Sequence, residues 1–91
     1  MDVITHQFNA DIVLQLTEET IQLLDEAIKQ YKLIENQLHY ITVRLERARK
    51  AGRFVGSLEI QRDTVDGVRC MYREYIQRQV IKLQQLQKTV Q

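Results

Sequence analysis

Apolar residues return along the first half of the chain at alternating steps of three and four. Leu24, Tyr31, Leu38 and Leu45 recur every seven residues, and Ala27, Ile34, Ile41 and Ala48 follow each of them by three. A helix turns once in about 3.6 residues, so this spacing keeps one narrow stripe on one side of it. Sustained for about four heptads, the pattern predicts a helix packed lengthwise against another helix. The second half carries a similar stripe of Phe54, Leu58, Val65, Val68, Tyr72, Ile76, Val80, Leu83, Leu86 and Val90, with one gap near Gln61. Met71 and Tyr75 lie beside it, within reach of a partner.

Local signals set the expected limits of these helices. Asn9 is suited to cap the first, with Phe8 packing on Val13 as a hydrophobic staple. Thr17-Glu18-Glu19-Thr20 is read as a solvent-facing part of one continuous helix, with a break capped by Thr17 as the alternative. Gly67 inside the second stripe costs about 1 kcal/mol relative to alanine. It is expected either to begin a new helix behind Asp63 or to let a facing backbone approach near Ile41.

Between the stripes lies RLERARKAGRFVGS, residues 44–57. Gly52 and Gly56 lie between the stripes, where a glycine supplies the left-handed residue that ends a helix, and Ser57 is placed to cap the next one. Arg47, Arg49 and Lys50 suit the negative end of a helix dipole. Phe54 and Val55 are apolar for a turn and are expected either to close the end of the core or to let the helix run through with little break. The reading is an all-α, long antiparallel helical hairpin in a single domain spanning residues 1–91. Its helices cover about 10–50 and 57–89, with a turn at 51–56.

The first stripe widens between residues 12 and 28, where Val13, Leu14, Leu16, Ile21, Leu23 and Ile28 flank it. A helix with one neighbour needs only the narrow seam, whereas flanking apolar positions imply a second neighbour. Val13, Leu16, Leu23, Ile28, Val80, Leu83 and Leu86 are therefore the candidate protein interface. Two helices enclose little interior, so dimerisation into a four-helix bundle is the expected completion. A three-helix bundle monomer, broken at Thr17 or Gly67, is the alternative.

Composition strengthens the helical reading: the chain has no proline, three glycines and 44% hydrophobic residues. Charge adds an orientation. Residues 1–43 hold seven acids and two bases, residues 44–91 eleven bases and five acids, and the whole chain carries +1. Folding the basic half back on the acidic half sets opposite charges side by side. Arg44, Arg47, Arg53, Arg62, Arg69 and Arg73 form a possible basic patch, which makes nucleic-acid binding the alternative function. The near-neutral balance, with a pI near 7.9, favours pairing of these bases with first-helix carboxylates.

Catalytic patterns are missing. His6 and His39 stand far apart, Cys70 is alone, and neither zinc-type nor di-iron-type spacing occurs. No enzyme activity, metal or cofactor is expected. No apolar run approaches the roughly 20 residues that cross a bilayer. With no cationic, hydrophobic leader either, the expectation is a soluble intracellular protein. The sequence thus points to a non-catalytic protein–protein interaction module: a helical adaptor, scaffold or chaperone-like subunit that binds a second copy or a partner's helices.

Overall fold

The computed structural model describes the backbone of residues 2–90 and the side chains of residues 10–89. Two helices, α1 (Asp2–Lys50) and α2 (Gly56–Val90), form an antiparallel hairpin measuring 75 × 16 × 14 Å. At 1.5 Å per residue they run about 73 Å and 52 Å.

The first helix starts earlier than its local signals suggested, and both helices run unbroken. Asn9 lies inside α1 rather than at its start, and the Phe8–Val13 staple falls outside the described side chains. Residues 17–20 continue the helix. Thr17 and Thr20 donate their hydroxyls to the carbonyls of Val13 (2.7 Å) and Leu16 (2.6 Å), satisfying themselves within their own helix. This stretch does not simply face solvent, because Thr20 is only 1% exposed. Seven residues before Ala27, it continues the stripe as a polar member.

The turn is built by a paired set of backbone hydrogen bonds. Gly52 N–H donates to Arg49 C=O (3.1 Å) and Arg53 N–H reaches Ala48 C=O (2.9 Å). This is a Schellman closure, with Gly52 at φ +68° supplying the left-handed residue. Chain reversal is then rapid. α2 begins at Gly56, where the Val55 carbonyl accepts from Glu59 N–H (2.9 Å), so Ser57 sits within the helix and does not cap it. Phe54 does not close the core either; it is 92% exposed, with its ring folded over Gly56.

Register follows from the residues that meet. Ala27 and Tyr72 line one groove, Ala48 and Leu58 line another, and Arg49 meets Glu59 across the turn. The hairpin therefore folds between Lys50 and Gly56. Gly67 is exposed, has open space around an added Cβ and lies within unbroken α2. It neither starts a helix nor admits a neighbouring backbone.

Little of the molecule is enclosed. Among the described residues, Ala27, Ile34 and Leu45 form the fully buried apolar core. The exposed area is 7405 Å², whereas a compact monomer of 10.8 kDa exposes about 5,500 Å². The radius of gyration, 20.8 Å, likewise exceeds the about 12 Å of a compact domain of this length.

Candidate functional site

The seam uses up part of the predicted interface. Val13, Leu83 and Leu86 are half-buried where α1 meets α2 near the chain ends. Leu16 (37% exposed), Leu23 (48%) and Val80 (38%) stand outside it, and Ile28 is half-buried at its edge. These outer residues do not share one surface. Leu16 and Leu23 flank the seam on one side, one position from Thr17 and Leu24; Ile28 and Val80 flank it on the other, each one position past a seam residue.

On the Leu23 side, α1 and α2 border a groove of about 450 Å³ lined by Leu23, Glu26, Gln30, Met71 and Tyr75, with Ala27 and Tyr72 as its floor. Met71 is 69% exposed at its rim. A second depression of about 490 Å³ lies beside the turn, walled by Arg44, Arg47, Arg53, Phe54 and Leu58. The guanidinium of Arg44 stacks over Tyr40, 5.6 Å from the ring centre.

The six candidate basic residues divide into two groups. Arg44, Arg47 and Arg53 are exposed around the turn-end depression. Arg62 and Arg69 occupy seam positions seven residues apart, where their stems are covered and their heads bind neighbouring acids. Arg62 contacts Asp63 at 3.1 Å and Arg69 contacts Asp66 at 2.7 Å. The Asp66 charge holds the Arg69 guanidinium above its ordinary range, while the Nε of the same group is buried without a partner. Arg73 is exposed on the flank that also carries Val80. Arg62, Arg69 and Arg73 therefore do not form one open phosphate-binding row.

Other ion pairs are peripheral. Arg49 reaches Glu59 across the turn at 3.2 Å, with both side chains about half exposed, a contact of about 0–1 kcal/mol. Lys29 and Asp25 pair along α1 at 3.0 Å, and that hydrogen bond raises the lysine's pKa. Cys70 is a free, half-buried thiol, and His39 is exposed. Among the described residues, no cluster of His, Cys, Asp and Glu is arranged to hold a metal, and no helix is long and apolar enough to cross a membrane.

Sequence reasoning reached Leu16, Leu23, Met71 and Tyr75, but it passed over Leu33 (55% exposed) and Tyr40 (62%). Both lie seven-residue steps beyond Glu26, a signal visible only once Glu26 is known to border the groove. Compared with family models, curated proteins and solved structures, the chain matches none of them.

Proposed function

We propose that the chain is a non-catalytic protein–protein interaction module, a small helical adaptor, scaffold or chaperone-like subunit. Its apolar flanks pack against helices of another molecule, and a four-helix bundle of two copies is the simplest such assembly. The observation that carries this reading is surface excess. The hairpin exposes 7405 Å² where about 5,500 Å² suffices for a compact monomer, and large apolar side chains stand on that surface. Free Cys70 fits an intracellular setting.

Light scattering coupled to size exclusion, with circular dichroism on the same samples, tests the reading. Leu23→Asp with Ile28→Asp places a charge on each flank. The wild-type chain should exceed its single-chain mass of 10.8 kDa, and the double variant should return to it with most helix retained. Assembly that persists in the variant contradicts a role for these flanks. A wild-type chain that is monomeric, fully helical and unable to bind the apolar dye ANS overturns the reading altogether.

Nucleic-acid binding is the second reading, supported by the open arginines beside the turn, Arg44, Arg47 and Arg53. It predicts affinity that falls steeply with salt and disappears when these three become glutamate. Absence of binding at low salt removes it.

A further inference from the structure

Both grooves open on one face of the hairpin. Leu23 and Gln30 border the first and Arg44 the second, all on one seven-residue repeat of α1. Tyr75 of α2 borders the first, and Phe54, in the turn before α2, borders the second. The residues between them therefore belong to the same face. Most of the exposed large apolar side chains collect there, including Leu16, Leu23, Leu33, Tyr40, Phe54 and Met71. The opposite flank has a shorter strip, Leu14, Ile21 and Val80, and carries the Arg49–Glu59 ion pair.

Charges on this face are divided between the helices. Toward the termini, α1 contributes Glu19 and Glu26 and α2 contributes Arg78 and Lys82, all four exposed. The terminal half of this face is complementary to itself, whereas Arg44, Arg47 and Arg53 at its turn end have no acidic counterpart on it. Resting on the interaction-module reading, we propose that its occupant is a second copy of this chain. The two copies are related by a two-fold axis parallel to the hairpin's length, with both turns at the same end. α1 of each copy then lies antiparallel against α2 of the other, and every neighbouring pair of helices in the bundle is antiparallel.

The sequence favours this orientation over its reverse. A lengthwise two-fold preserves level along the hairpin. Leu23 then meets the partner's Tyr75, Leu33 comes near the partner's Val68, and Arg44 reaches the partner's Phe54. Glu19 and Glu26 then lie at the same terminal end as the partner's Arg78 and the partner's Lys82. With α1 fully overlapped and turns at opposite ends, Leu16 and Leu23 instead come level with the partner's Asn36 and the partner's Lys29. A face most of 75 Å long and 16 Å wide offers roughly 1,000 Å² per chain, above the about 800 Å² per partner of a standard interface.

Charge exchange tests the arrangement. One variant carries Glu19→Lys and Glu26→Lys; a second carries Arg78→Glu and Lys82→Glu. Sedimentation equilibrium should give two chains for the wild type and self-association weakened roughly tenfold or more in each variant alone. An equimolar mixture of the two should recover wild-type association, because each α1 now meets an oppositely charged α2. Where a double swap lowers helicity, Glu19→Lys and Arg78→Glu alone carry the same comparison. A wild-type dimer without recovery in the mixture overturns the orientation. A wild-type chain that stays single yet binds ANS overturns self-pairing and leaves the interaction-module reading standing.

Discussion

The two ends of the hairpin invert each other's polarity. Toward the turn the seam is mostly apolar, built from Ile34, Ile41 and Leu45 of α1 with Leu58 and Val65 of α2, while the flanks carry Glu35, Gln37, Glu59 and Gln61. Toward the termini Thr17, Thr20 and Gln79 enter the seam, and Leu14, Leu16, Ile21 and Leu23 move to the flanks. Two helices close the seam of the turn half, although Leu33, Tyr40 and Phe54 stay exposed beside it. The terminal half places its apolar surface where only further helices can cover it, so the difference locates both the anchor of the fold and its unfinished part.

The largest expected effect breaks the anchor. Leu45 is 1% exposed, and Leu45→Ala should destabilise the hairpin by about 2–4 kcal/mol in thermal unfolding. Leu16→Ala, at 37% exposure in the terminal half, should cost less than about 1 kcal/mol in dilute samples. Equal losses at the two positions would contradict the division.

A smaller effect should have the opposite sign. The side-chain oxygen of Gln79 is buried without a partner. Replacing it by leucine removes an unpaired polar group and should raise stability by about 1–2 kcal/mol, seen as a higher melting temperature. A loss would show that Gln79 finds a partner in the assembled state, which sharpens the case for a bundle.

The smallest effects separate two glycines. Gly67→Ala meets open space in regular helix and should stabilise by about 0.5–1 kcal/mol. Gly52→Ala, held at φ +68°, should instead destabilise by about 1 kcal/mol. Chemical denaturation of both variants reads this difference directly.

The turn half was the more legible in sequence for the same physical reason. Each residue of the heptads from Leu24 to Ala48 is buried or half-buried, because apolarity and seam position coincide there. They part company elsewhere. Thr20 read as surface because it is polar, yet its hydroxyl is satisfied inside its own helix and its methyl can be buried. Along α2, Val68 and Val80 read as stripe residues but lie one position off the seam, while Arg62, Arg69 and Gln79 occupy it. Long stems let arginines hold seam positions with their charged heads at the edge, and a pattern of apolar letters does not record this. Phe54 fits the spacing but belongs to the turn, where the Gly52 closure turns it outward.

Hydrogen exchange measured at several protein concentrations tests most directly whether the terminal half is completed by association. Amides of residues 31–48 and 56–70 should be protected at every concentration, since their seam is closed within one chain. Amides of residues 12–28 and 71–88 should exchange quickly when dilute and gain protection as concentration rises. Equal protection of both halves, unchanged by dilution, would mean that the hairpin is complete as a single chain.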